Sequence, residues 1–165
     1  MKNQKERFLV RAIETPLGRL EFAVNNQGLF QYIEFQPEHD GNENTNSHQH
    51  ENLDLAECLL KEYFLGKQTQ FDKLLPLLDF KGTAFQQMCW HALLQISYGE
   101  TWTYGQQAKM IDKPKAVRAV GAANGKNVFA IVVPCHRVIG ASGSLTGYAG
   151  GLDKKQFLLN LERAI

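Results

Sequence analysis

Cys135, His136 and Arg137 stand side by side in Val132–Gly140, VVPCHRVIG. A thiol, an imidazole and a guanidinium thus follow an apolar run directly. The thiolate is the nucleophile and the thiol scarcely reacts. Cys135 therefore needs a base or a positive field, and His136 and Arg137 are the candidates. Consecutive side chains of an extended chain diverge. His136 would then have to work through a bridging water or across a kink after Pro134. A catalytic imidazole also needs an orienting partner, most often a carboxylate. Residues 81–165 hold four carboxylates, and Glu162 is the choice by that scarcity. A cysteine in an apolar setting often serves only as a small hydrophobe. Cys135 differs because it follows the strand-like run VFAIVV (128–133) and precedes the glycine-rich stretch GASGSLTGYAGGLD, whose backbone can approach a ligand closely. A cysteine hydrolase is one active reading. Such enzymes place cysteine and histidine far apart in sequence, so a non-hydrolytic nucleophile joined to a DNA-reading element fits better.

The elements around Cys135 supply that reading element. Thr83 with Gln86, and Thr103 with Gln106, have the spacing of capping boxes. They open a helix carrying Phe85, Met88, Cys89, Ala92, Leu93 and Ile96 at helical period, stopped by Tyr98-Gly99, and a short helix from Tyr104 to about Met110. Asp112-Lys113-Pro114 turns the chain, and Pro114 suits the first turn of a third helix carrying KAVRAVGAAN. Two short helices across a tight turn suggest a helix-turn-helix. The third helix is almost free of bulk: Ala116, Ala119, Gly121, Ala122 and Ala123 leave Arg118 standing above the surface. Such a helix can enter a nucleic-acid groove or lie close against a neighbouring helix. Lys109, Lys113, Lys115 and Lys126 are placed to pair with phosphates. Asp153 with Gln156 is expected to cap a last helix that buries Phe157, Leu158 and Leu161.

The two halves of the chain differ in charge. Residues 1–80 hold 8 Lys/Arg against 13 Asp/Glu, whereas residues 81–165 hold 10 against 4. A basic half on a nearly neutral chain points to a polyanion as partner. Residues 7–35 show three β-rich runs broken by Thr15-Pro16-Leu17-Gly18 and Asn25-Asn26-Gln27-Gly28, the pattern of an antiparallel meander. Residues 36–51 form a polar, mobile loop. It contains His39, His48 and His50, read as solvated rather than metal-binding. A helix over 53–65 follows, and QFDKLLPLLDFKG is an extended connector. The fold class is α+β, with a small mixed domain over 1–79 and a mainly helical domain over 80–165. The odd cysteine count (Cys58, Cys89, Cys135) argues against a disulfide framework. Neither a signal peptide nor a bilayer-length apolar run is present, so a cytoplasmic protein without membrane association is expected.

PCHRVIG at 134–140, YGQQA at 104–108, KAVRAVGAAN at 115–124 and GYAGGL at 147–152 together closely resemble the methylated-DNA–protein-cysteine methyltransferases, or O6-alkylguanine-DNA alkyltransferases. The resemblance covers about residues 83–163. The N-terminal half is similar only loosely, through its meander and EYFLGK. The resemblance implies a single-use DNA repair reaction. A damaged guanine is flipped from duplex DNA, bound from the minor groove, and its O6-alkyl group passes to a cysteine. By matching position, Cys135 would be the acceptor, with His136 its base through a water and Glu162 orienting His136. Tyr104 would donate to the guanine ring, and Arg118 would fill the gap in the base stack. Ala119, Ala122 and Lys115 would face the DNA. Asn127 would brace the helix-turn-helix against the active-site segment. Tyr148 and Ala149 would line the pocket, and backbone groups of Cys135 and Val138 would read the guanine amino edge. Neither cofactor nor metal is implied, and the working unit is a monomer. Two departures stand out. Asn127 is followed by Val128 where the family often has proline, and Ala149 stands where some members have serine. A related group of damage sensors replaces the nucleophile by tryptophan, and Cys135 argues against that group.

Overall fold

The computed structural model describes residues 8–36 and 49–164. The chain divides into two compact units, Met1–Asp79 and Phe80–Ile165. In the first, strands β1 (Leu9–Thr15), β2 (Gly18–Val24) and β3 (Phe30–Phe35) form an antiparallel sheet in the order β1-β2-β3. The two turns form where asparagine and threonine side chains can replace backbone partners. Thr15 Oγ1 accepts from Leu17 N–H, and Asn25 Oδ1 accepts from Gln27 and Leu29 N–H. Leu20, Phe22, Phe30 and Ile33 are fully buried together with Leu53, Ala56, Leu60 and Tyr63 of helix α1 (Glu51–Phe64). Each such large apolar side chain contributes roughly 1.5–3 kcal/mol.

Several expectations for this unit change. Helix α1 begins at Glu51, and His50 is its cap, the ring nitrogen Nδ1 accepting from Asn52 N–H at 3.1 Å. The polar stretch read as a mobile loop falls largely on residues 37–48, outside the described residues, as do His39 and His48. The connector is not extended. It folds into turns with a 3-10 segment at Leu75–Leu77, because Phe71, Leu74 and Leu78 are apolar and become buried. Leu78 then bridges to Phe30, and Asp79 N–H donates to the Phe30 carbonyl at 3.0 Å.

The second unit holds α2 (Ala84–Leu93), β4 (Trp102–Thr103), α3 (Tyr104–Met110), α4 (Val117–Asn124), β5 (Val138–Ile139) and α5 (Leu152–Leu161). Both capping boxes form, at Thr83 with Gln86 and at Thr103 with Gln106. Helix α2 ends at Leu93, ahead of Tyr98-Gly99, and Met88 is partly exposed while Trp90 is buried. Pro114 lies in the turn before α4 rather than in its first turn, and Ala116 is the cap without a side-chain bond. Helix α5 is capped by Gly151 at φ 95, a backbone conformation that glycine reaches without strain, so Asp153 is an ordinary first-turn residue. Its buried residues are Lys155, Leu158 and Leu159, with Phe157 and Leu161 only partly covered. The parallel pairing of β4 with β5, Trp102 opposite Val138 and Thr103 opposite Ile139, brings the start of α3 beside the Cys135 segment. Among the described residues no helix is long and apolar enough to cross a membrane.

Candidate active site

Residues 128–133 form no strand. Asn127 closes them into a compact turn: its Oδ1 accepts from Phe129 N–H at 2.9 Å, and its Nδ2 donates to the Val133 carbonyl at 2.9 Å. Val133 N–H donates to the Phe129 carbonyl at 2.9 Å, and Ile131 takes φ 71, which a β-branched residue adopts only when its surroundings impose it. Phe129, Ile131, Val132 and Val133 are nevertheless buried. The apolar run was read correctly for burial and wrongly for backbone shape. The chain leaves this turn through Pro134 into a 3-10 turn over Cys135–Arg137.

Cys135 is partly buried, and its Sγ accepts from Asn127 Nδ2 at 3.3 Å. Burial raises its pKa. The Asn127 bond, the Lys155 charge and nearby backbone N–H groups oppose that rise without cancelling it. The resting group is therefore a thiol in need of a proton acceptor.

That acceptor is built beside it. His136 is fully buried, and its Nε2 lies 2.8 Å from Glu162 Oε1. Arg137 grips the same carboxylate with two bonds, Nε to Oε2 at 2.7 Å and a terminal nitrogen to Oε1 at 3.0 Å. It also donates to the Ile96 carbonyl at 2.7 Å. Burial alone would raise the Glu162 carboxyl, but the bonds from His136 and Arg137 outweigh it and hold it down at about 2. An ionised carboxylate only accepts, so Nε2 of His136 carries the hydrogen. Nδ1 is left with a lone pair, and it is buried without a protein partner. Burial lowers the His136 pKa against the pull of Glu162, which keeps the ring neutral. No direct bond joins His136 to Cys135. Arg137 was a candidate source of field for the thiol and is instead the counter-ion of Glu162.

Tyr104 opens α3, and its hydroxyl donates to the Thr146 carbonyl at 2.8 Å. Tyr148 holds a buried hydroxyl with no partner. Its pKa is well above the usual value because of burial, then the charges at Cys135 and Glu162. Val138 is buried, so only its backbone can meet a ligand, and Ala149 is exposed.

Lys155 was missed in the sequence. It is fully buried and donates from Nζ to the carbonyls of Val138 (2.5 Å) and Thr146 (2.8 Å). It thereby ties β5 to the glycine-rich loop, with its ammonium 5.7 Å from the centre of the Tyr104 ring. Burial lowers its pKa to about 8. A lysine amid a polar stretch gives no sign of burial in sequence. The signal that could have found it is its place on the same helical stripe as Leu158 and Leu159.

Arg118, Ala119 and Ala122 are exposed at helical spacing along one side of α4, and Lys115 is exposed in the turn that precedes it. Lys109, Lys113 and Lys126 are exposed around them. Among the described residues there is no group of three or more His, Cys, Asp or Glu side chains placed to hold a metal ion.

A family model described as the DNA binding domain of 6-O-methylguanine DNA methyltransferase matches residues 84–164. A methylated-DNA–protein-cysteine methyltransferase of Methanosarcina acetivorans is 49% identical over 152 residues, covering 90% of this chain and 94% of that protein. The crystal structure of Mycobacterium tuberculosis OGT in complex with DNA is similar at a TM-score of 0.81 and 44% identity, covering 94% of this chain and 92% of the other. The O6-methylguanine-DNA methyltransferase of the hyperthermophilic archaeon Pyrococcus kodakaraensis is similar at 0.70 and 26% identity, covering 94% and 99%. The α+β fold is that of these enzymes, and the chain belongs to the methylated-DNA–protein-cysteine methyltransferase family.

Proposed function

We propose that this protein repairs DNA by moving the methyl group of O6-methylguanine onto Cys135, once per molecule. The observation that carries this reading is the buried His136–Glu162–Arg137 chain beside a half-buried thiol. It provides a base of fixed tautomer whose Nδ1 has no protein partner. In the proposed reaction a water links Cys135 Sγ to His136 Nδ1. The thiol proton passes through that water to His136 as Sγ attacks the methyl carbon. The S–C bond forms and the C–O6 bond breaks. The electron pair leaves on the guanine, which takes up one proton. The overall exchange is thiol hydrogen for methyl, and the thioether is stable, so the site is spent.

The base must leave the stack to reach Cys135. Helix α4 enters the minor groove, its small side chains at Ala119 and Ala122 allowing close approach and Lys115 pairing with a phosphate. Arg118 fills the vacated place in the stack. Tyr104 exchanges its bond to Thr146 for one to the guanine ring. Tyr148 and Ala149 line the pocket, and backbone groups of Cys135 and Val138 read the guanine amino edge. Asn127 holds the Cys135 segment against the helix-turn-helix. The protein works as a monomer on cellular DNA.

The test uses duplex DNA with one tritium-labelled O6-methylguanine. Label should reach the protein at one equivalent and then stop. Label that stays on DNA despite damage-selective binding would make the protein a sensor. Catalytic turnover of an ester or peptide would make it a hydrolase. Family membership favours neither of those readings.

A further inference from the structure

Helix α4 offers its neighbours little bulk. Its buried residues are Val120, Ala123 and Asn124; Val120 and Ala123 pack with Cys89 and Ala108, and Phe85, Tyr104 and Ile111 close the edge of that small cluster. Shallow side chains make shallow ridges, which leave the roll and slide of a helix weakly determined. Directional bonds stand where bulk would be. Asn124 Nδ2 donates to Gln107 Oε1 at 2.7 Å, and Gln107 Nε2 donates back to Asn124 Oδ1 at 2.9 Å. Gln107 Nε2 also reaches the Cys89 carbonyl at 3.1 Å. One residue along, Trp90 Nε1 donates to the Ala123 carbonyl at 2.8 Å. The reciprocal amide pair therefore joins α3 to α4 and links both to α2, and Gln107 is fully buried.

The position of the pair matters. Gln107 follows Tyr104 by one helical turn on α3. Asn124 shares α4 with Arg118, and between them Gly121 faces the Tyr104 ring, where an added Cβ would lie 3.7 Å away. Whatever sets the roll of α4 on α3 also sets Arg118 relative to Tyr104.

We propose that the Gln107–Asn124 pair is a positioning device for base extrusion, fixing the roll of α4 so that Arg118 and Tyr104 act on the same nucleotide. This rests on the flipping reaction proposed above. A side-chain tip about 6 Å from a helix axis moves about 1 Å for a roll of about 10°. Misplacement of that size can cost about 100-fold in rate. Replacing both amides by apolar groups removes the constraint without leaving a buried donor unpaired, so the fold is largely spared. Neither amide touches Cys135, His136 or Glu162, so the thiol chemistry itself is untouched.

The experiment compares wild type, Q107L/N124L and the exchanged pair Q107N/N124Q. Each is reacted with duplex O6-methylguanine and with free O6-benzylguanine, which needs no flipping. The readout is the ratio of the two rates on one preparation, in which any inactive fraction cancels. The leucine pair should lower the ratio by about tenfold or more, and the exchanged pair, which restores an amide–amide contact, should stay within about threefold of wild type. If the leucine pair cannot be purified, Gln107→Met is measured in its place and should lower the ratio in the same direction. An unchanged ratio overturns the proposal, and so does an equal fall in the leucine and exchanged pairs. Wild type that takes no methyl from the duplex is a failure of the proposed reaction, and is told apart by that control.

Discussion

Substituting Glu162 by glutamine keeps the shape of the side chain and removes its charge. In the native protein the carboxylate is buried and accepts from His136 and from Nε and one terminal nitrogen of Arg137. Burial favours the neutral acid, yet those donors hold the group at about 2 against an ordinary 4.5. At 1.36 kcal/mol per pH unit, that difference corresponds to about 3 kcal/mol of folding stability. The folded pKa lies below the unfolded one. The contribution is therefore fully present above pH 4.5 and is lost as pH falls through about 2. The variant leaves Arg137 as a buried cation opposite a neutral amide, the costly half of a broken pair. Urea unfolding should find Glu162→Gln about 3 kcal/mol less stable than wild type at pH 7. The gap should narrow below pH 4.5 and nearly close as pH falls through about 2, where the wild-type carboxyl itself takes up its proton. A gap that stays constant across this range would refute the charge argument, and no gap at pH 7 would refute the whole account of the chain.

Three further outcomes are expected. Cys135→Ala should abolish methyl transfer while leaving DNA affinity, measured by fluorescence anisotropy, within about twofold, because the exposed face of α4 is untouched. Arg118→Ala should slow duplex repair about tenfold or more while leaving the reaction with free O6-benzylguanine nearly unchanged, and an equal loss on both substrates would reject the wedge role. Lys155→Met should slow the alkylation of Cys135 by iodoacetamide below about pH 8, where the ammonium is still charged and favours the thiolate. It should also remove a rise in wild-type stability between about pH 8 and 10.5, the range in which the folded protein has released the Lys155 proton and the unfolded chain has not.

Local rules made much of the fold legible. The two capping boxes marked α2 and α3 because Thr83 and Thr103, each with a glutamine three residues on, satisfy amides that a helix start leaves open. The turn residues at Thr15–Gly18 and Asn25–Gly28 marked the meander. What stayed hidden depended on particular side-chain bonds and backbone geometry that residue type does not announce. Valine and isoleucine propensity made 128–133 look like a strand, but Asn127 supplies two bonds that fold it into a turn. Asp153 had the spacing of a cap, but Gly151 provides the backbone geometry and the helix starts at Leu152. At the site, Cys135, His136 and Glu162 could be named from residue type and number. The two-bond grip of Arg137 on Glu162 could not, because it joins residues 25 positions apart. The burial of Lys155 was hinted at only by its stripe with Leu158 and Leu159, since the carbonyls that receive its protons lie on β5 and in the glycine-rich loop.

The most direct test of the central claim is the mass of the intact protein after mixing with duplex DNA that carries one O6-methylguanine, followed by peptide mapping. The account predicts a gain of about one methylene mass, located on the Cys135 peptide and absent from the Cys58 and Cys89 peptides. An unchanged mass, or a methyl group on another residue, would contradict it.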